Sequence, residues 1–224
     1  MVLGTVIALT AAIARRSENP VLRGGVSWAY IFVFRGTPVY TQLVFWGGLF
    51  TVIVPKIAIG VPFGPELFAL ETRDYFPPAF WAAVVGLGLN EGAYLAEIIR
   101  SGLNSVDKGG QTEASKALGM SNGRILRRII IPQAMRVIVP PLGNETIGML
   151  KTTSLVLAVP FTLDLTFASN AIANKLYAPP IPLLIVAAFW YLAITSVLMV
   201  GQHYLERYFG RGFDDRPTGG RGTG

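Results

Sequence analysis

Two long apolar stretches constrain this chain more than any other feature. Pro77–Ile99 (PPAFWAAVVGLGLNEGAYLAEII) and Pro180–Leu205 (PIPLLIVAAFWYLAITSVLMVGQHYL) each supply a helix's worth of bilayer crossing, which takes about 20 mostly apolar residues. Neither carries the continuous polar face of a helix lying on a soluble core. Val26–Val54 also has enough apolar residues to span, but Arg35-Gly36-Thr37-Pro38 interrupts it. Thr37 before Pro38 reads as an N-cap and first helical position. The segment is then either a short interfacial helix followed by a span from Pro38, or one span kinked at the proline. Pro140–Pro160 is a fourth candidate and holds Asn144, Glu145 and Lys151. Met1–Ala14 is apolar but rises only about 21 Å, against a hydrocarbon core of about 30 Å. It lacks a basic stretch ahead of it and an A-x-A cleavage site, so it makes a poor signal peptide. The sequence predicts an all-α membrane protein with about five transmembrane helices. The first is expected to be a truncated span whose start lies upstream.

Charge sets the orientation. Only 14% of residues are charged, against about 25% in an ordinary soluble domain. Fifteen lysines and arginines fall in loops of one parity: Arg15 to Arg35, Arg100 to Arg136, and the tail from Arg207. Three, Lys56, Arg73 and Lys175, fall in loops of the other parity. The positive-inside rule then puts the basic loops and the C-terminus in the cytoplasm. The net charge of +6 is therefore a topological signal, with no nucleic-acid partner implied. With no cysteine and one histidine, His203, disulfides and Cys- or His-cluster metal sites are excluded. Residues 1–210 read as one transmembrane domain and 211–224, rich in Gly and Arg, as a disordered cytoplasmic tail.

Between the third and fourth spans the chain turns polar: EASKALGMSNGRILRRIIIP, Glu113 to Pro132. Asp107 to Met120 reads as a short helix with Asp107 and Glu113 early, where the helix dipole favours acid. Ala114, Ala117 and Leu118 form a narrow apolar stripe at i, i+3 and i+4. Gly119 lets that helix end, and a second helix runs to Pro132 with Arg124, Arg127 and Arg128 on its surface. A solvated linker would explain the arginines but not the stripe framed by an acid and a glycine.

At these residues the chain resembles a known family. Glu113-Ala114-Ser115, then Gly119, then Ile129-x-x-Pro132 is similar to the EAA signature of ABC importer permeases, with Ser for the usual third Ala and Ile131 for Leu. Phe34-Arg35-Gly36-Thr37-Pro38 with Gln42, Tyr94–Arg100, Pro132-Gln133-Ala134-x-Arg136, Asn144-Glu145 and Lys151–Leu155 extend the likeness toward the polar amino acid subfamily. Gly109-Gly110 departs from it, where a single glycine is expected. The resemblance implies that the segment is a coupling helix docking on a cytoplasmic ATPase through Glu113, Ala114, Ser115, Ala117, Leu118 and Gly119. It also implies a second permease subunit, identical or different, and an extracytoplasmic binding protein that delivers an amino acid, all at a bacterial cytoplasmic membrane. No G-x-x-x-x-G-K-[ST] loop occurs here, so the chain is expected to hold no cofactor, with ATP and Mg bound by the partner ATPase.

Polar residues within hydrocarbon are costly and mark a pathway or an internal pair. Glu97 and Arg100, an i, i+3 pair, read as structural. Asn90, Glu91, Asn144, Glu145 and Lys151 are the candidate substrate pathway, with helix-packing glue as the equal alternative. Glu145 and Lys151 are six positions apart, about 240° around a helix, so each needs a partner elsewhere. Gly86, Gly88 and Gly92 read as close helix contacts. The competing functions are a same-architecture permease for an osmolyte or opine, a secondary transporter, for which no inverted repeat is visible, and a membrane enzyme, for which no catalytic grouping is visible.

Overall fold

The computed structural model describes residues 1–15, 19–53, 57–60, 66–70, 78–107, 110–159, 161–177 and 179–210. The expected tail, 211–224, lies outside them, as do the loop cations Lys56, Arg73 and Lys108.

The first helix, α1 (Val2–Arg15), lies along α4 (Pro78–Asp107), the 30-residue helix at the centre of the bundle. The contact is a seam of small residues. Gly4, Ala8 and Ala12 are the buried positions of α1, one turn apart on one face. On α4 the matching row is Gly88, Gly92 and Ala96. A Cβ on Gly88 would stand 2.7 Å from Leu3 Cδ2, and one on Gly92 would stand 3.0 Å from Ile7 Cγ2. Small residues at four-residue spacing let two backbones approach, which is how helices gain van der Waals contact where no hydrophobic effect drives them together. The α4 glycines are packing positions, as expected. The four-residue spacing of Gly4, Ala8 and Ala12 is visible in the sequence itself.

A π-helical turn (Val21–Val26) leads into α2 (Ser27–Gly36), and α3 (Val39–Ile53) follows after a break. Thr37 is extended, φ −109° and ψ 143°. Of the two readings of this region, the structure selects two helices separated at Thr37-Pro38. Thr37 does not cap α3 as expected. Its Oγ1 donates back to Val33 O at 2.8 Å, closing α2 instead.

An antiparallel pair, β1 (Ile57–Gly60) and β2 (Glu66–Leu70), follows α3, with Ile57 opposite Leu70. The apolar pattern did not disclose this pair, which adds a small sheet to an otherwise helical set of described residues.

After α4 come α5 (Gln111–Ala117), α6 (Asn122–Ile125), a π-helical turn (Leu126–Ile130) and α7 (Ile131–Thr152), which ends in a 3₁₀ stretch, Thr153–Ala158. Three expectations are corrected here. Asp107 ends α4 rather than opening the short helix. The second helix does not stop at Pro132 but turns directly into α7. The helix that carries the fourth candidate span starts at Ile131, not Pro140, so Pro140 and Pro141 lie inside it. Pro132 takes the first-turn role, where a missing N–H costs nothing.

α8 (Leu165–Lys175) is capped by Asp164, whose Oδ2 accepts from Phe167 N at 2.9 Å. α9 (Pro180–Gly210) packs on α7 and α8. Among the described helices, Pro78–Val106 and Pro180–Gly210 are long and apolar enough to cross a membrane, while Val2–Arg15 and Val39–Phe50 are apolar but shorter. The α4 window is 61% buried within the chain and the α9 window only 11%. Phe189, Trp190, Leu192, Val197 and Val200 all stand exposed on α9, an apolar face of the kind that lipid or a protein partner covers.

Candidate functional site

The polar segment is built on two glycines with left-handed backbone, Gly110 (φ 73°) before α5 and Gly119 (φ 75°) after it. At the far end Gly119 N donates to Lys116 O at 2.9 Å and Met120 N to Ser115 O at 3.1 Å. That pair of bonds is the Schellman closure, which satisfies the last carbonyls and turns the chain sharply. Glu113, Ala114, Ala117 and Leu118 all face outward, Leu118 at 82% exposure. Ser115 differs from the other five expected docking residues. It is 4% exposed and its Oγ donates to Gln111 O at 2.6 Å. Its side chain faces the body of the protein, away from the outward face of the other five. Arg124, Arg127 and Arg128 are exposed on the following turns, with Ile125 and Ile130 buried beneath. Gly110 in the left-handed region also fixes the start of α5 that the paired glycines left open.

The intramembrane polar residues separate into two groups. Asn90, Glu91 and Glu145 line one cavity of about 450 Å³, together with Arg35, Tyr94 and Thr152. Glu91 is 6% exposed, and its Oε1 has no hydrogen-bond partner among the described residues. Asn144 and Lys151 do not reach this cavity. They line another, of about 380 Å³, against Gln202, His203 and Glu206 of α9. Seven positions on one helix fall within about 20° of each other, which puts Asn144 and Lys151 on one face of α7 and Glu145 on another. Asn144 Oδ1 accepts from Gln202 Nε2 at 3.0 Å, so Asn144 serves as the packing bond between α7 and α9. Of the five candidate pathway residues, the structure brings Asn90, Glu91 and Glu145 together and places Asn144 and Lys151 on another face.

The cavity wall is held by the break between α2 and α3. A broken helix leaves carbonyls without partners, and in hydrocarbon each must be satisfied internally. Gln42, 7% exposed, supplies the bonds: its Nε2 lies 3.0 Å from Phe34 O, 3.1 Å from Thr37 O and 2.7 Å from Thr37 Oγ1. Asn90 Nδ2 donates to the same Phe34 carbonyl at 2.7 Å and reaches Gln42 Oε1 at 3.4 Å. The amide of Asn90 thus ties α4 to the break while the residue lines the cavity. Arg35 enters the cavity from the same break. Its signal in the sequence is its place beside a Gly-Thr-Pro interruption of an apolar run.

Nearer the end of α4, Glu97 pairs with Arg100 as expected and also with Arg15 of α1, whose Nη1 donates to Glu97 Oε2 at 3.0 Å. Arg35 stands 5.0 Å over the Tyr94 ring.

Comparison with known proteins gives the family. Residues 4–211 match the family described as the binding-protein-dependent transport system inner membrane component. The chain is 53% identical over 213 residues to the arginine transport system permease protein of Corynebacterium glutamicum, covering 95% of this chain and 64% of that protein. It is 36% identical to the L-cystine transport system permease protein of Bacillus subtilis, covering 94% of this chain and 80% of that one. The histidine/lysine/arginine/ornithine transport system permease protein of Escherichia coli is 35% identical, at 89% and 78% coverage. A crystal structure of an amino acid ABC transporter with histidines superposes with a TM-score of 0.74 at 33% identity, over 92% of this chain and 86% of that chain. The methionine ABC transporter shares the fold, with a TM-score of 0.64 at 17% identity. These relatives are permease proteins of transport systems. The chain therefore belongs to the family of inner membrane components of binding-protein-dependent transport systems.

Proposed function

We propose that the chain is the membrane-spanning subunit of an ATP-driven importer of polar amino acids, with basic amino acids as the preferred substrates. The observation that carries the substrate class is the cavity between α2, α4 and α7. Two carboxylates, Glu91 and Glu145, line it together with one guanidinium, Arg35. A basic amino acid presents two cationic groups and one carboxylate, the complementary set, and a desolvated charge needs such a partner. Glu91 Oε1, buried without a hydrogen-bond partner among the described residues, is an acceptor ready for a substrate ammonium or guanidinium. The relatives named for arginine and for histidine, lysine, arginine and ornithine support the same class.

In this reading residues 1–210 form one transport domain with five spans and a cytoplasmic C-terminus in a bacterial inner membrane. A separate ATPase holds ATP and Mg and docks on the outward face of α5, at Glu113, Ala114, Ala117 and Leu118, with Gly119 setting the exit of the chain. Ser115 orients that face from beneath. A second permease subunit completes the pathway, Asn144 and Lys151 act at the α7–α9 boundary, and an extracytoplasmic binding protein delivers substrate.

The test is ATPase stimulation of the reconstituted complex with its binding protein, screened across basic, neutral and acidic amino acids and nopaline. Stimulation by arginine, lysine or ornithine above the neutral set is expected. Preference for a neutral amino acid would overturn the substrate class, and uptake driven by an ion gradient without ATP would overturn the transporter class. Preference for nopaline would favour the opine reading, which the 32% identity to the nopaline transport system permease protein of Agrobacterium fabrum also supports.

A further inference from the structure

A second cavity, larger than the one proposed for substrate, lies beside it. It measures about 850 Å³ and opens between α1, α2 and the last turns of α4. Four guanidinium groups, Arg15, Arg23, Arg35 and Arg100, line it against one carboxylate, Glu97, a surplus of three positive charges. Arg15 and Arg100 are held in place by Glu97, and Arg35 stands over Tyr94 on the wall shared with the smaller cavity. Arg23 is exposed and has no carboxylate partner among the described residues.

We infer that this cavity is an anion site that takes a phosphate group, presented by an anionic lipid headgroup or free in solution. The planar guanidinium matches phosphate through paired N–H donors, and it does so best when the side chain is already immobilised. Glu97 supplies that immobilisation: it fixes two arginines without cancelling the charge of the cavity. The rim indicates where an acyl chain would lie. Trp28 and Phe32 are stacked, with centroids 5.0 Å apart, and both are more than half exposed on the α2 face that lines the cavity. Aromatic side chains at the headgroup level anchor a membrane protein at its interface, and basic cavities between helices hold anionic headgroups. The site differs from the proposed substrate cavity in charge sign: there two carboxylates meet one arginine, here four arginines meet one carboxylate.

The test uses the full chain in nanodiscs of phosphatidylcholine alone, of phosphatidylcholine with phosphatidylglycerol, and of phosphatidylcholine with inorganic phosphate added. Retained lipid is counted by native mass spectrometry, and the thermal midpoint is followed in each disc. Wild type is expected to retain phosphatidylglycerol over phosphatidylcholine and to unfold at higher temperature in its presence. Arg23→Ala should weaken that preference about fivefold, the ~1 kcal/mol that one basic residue contributes at an anionic surface, and Arg23→Lys should restore most of it. Arg23 makes no ion pair among the described residues, and Arg23→Lys controls for folding. Arg100→Gln is the second variant and should weaken retention to a similar degree. Stabilisation by inorganic phosphate in the phosphatidylcholine disc, lost in the same two variants, assigns the site to a free anion. A phosphatidylglycerol preference equal in wild type and both variants, with no response to phosphate, overturns the inference.

Discussion

Gly102 of α4 lies directly beneath Ile138 of α7: a Cβ on Gly102 would collide with Ile138 Cγ1. Ile138 is 4% exposed, within a cluster that includes Ala96, Ile99 and Ala134, so it has little room to yield. Gly102→Ala is expected to cost ~1–3 kcal/mol in overpacking, offset by at most ~1 kcal/mol of helix propensity. Gly201→Ala on α9, where nothing lies within 4 Å, gains the propensity alone. Thermal unfolding of the purified chain in detergent should show a lower midpoint for the first and an unchanged or higher one for the second. Equal midpoints would mean that α4 and α7 are not in this contact.

The outward face of α5 yields a contrast between neighbours. Gly119→Val places a β-branched residue at φ 75°, a strain of at least ~1–2 kcal/mol. Ala114→Arg adds a long charged side chain to the exposed face. Both should reduce recovery of the ATPase with the permease and abolish ATP-dependent uptake in vesicles. Ser115→Ala, one position from Ala114, removes only the hydroxyl bonded to Gln111 O and should leave ATPase recovery intact. Loss of docking in Ser115→Ala with docking kept in Ala114→Arg would reverse the assignment of faces.

Glu145 and Lys151, on one helix, should behave differently in transport. Glu145→Gln keeps the shape of the smaller cavity and removes one of its two carboxylates. Losing one charge-assisted bond, ~1.5–3 kcal/mol, should raise the KM for basic amino acids at least about tenfold while neutral substrates change less. Lys151→Met, on the α9 side, should leave the KM unchanged. A selectivity change in Lys151→Met without one in Glu145→Gln would place substrate on the wrong face of α7.

Gln42 and Asn90 share the Phe34 carbonyl, which predicts energetic coupling. Gln42→Leu leaves buried carbonyls at the break short of donors and should cost ~1–3 kcal/mol. Asn90→Leu should cost a similar amount alone. The double variant should cost less than the two together, since groups in one network do not add. Strict additivity of the unfolding free energies would show that the two amides act independently.

The sequence by itself determined what depends on contiguous residues. Apolar run length marked Pro77–Ile99 and Pro180–Leu205 as spans, because the cost of burying charge in hydrocarbon is paid residue by residue, and the helices Pro78–Val106 and Pro180–Gly210 correspond to them. A glycine just after a short helix announced the left-handed turn at Gly119, since the missing Cβ removes a local clash. Glu97 and Arg100 were readable as a pair because they are one turn apart. Only the tertiary structure decided what depends on which faces meet. It sent Asn90 to the Phe34 carbonyl, 56 residues away, and Arg15 to Glu97, 82 residues away. It also put Glu145 in one cavity and Lys151 in another. Six positions on a helix fix the angle between two side chains but not what stands opposite either one. The opposing partners come from packing, here the Gly4-Ala8-Ala12 seam on α4 and the Gly102–Ile138 contact, whose closeness sets where every neighbouring polar group falls.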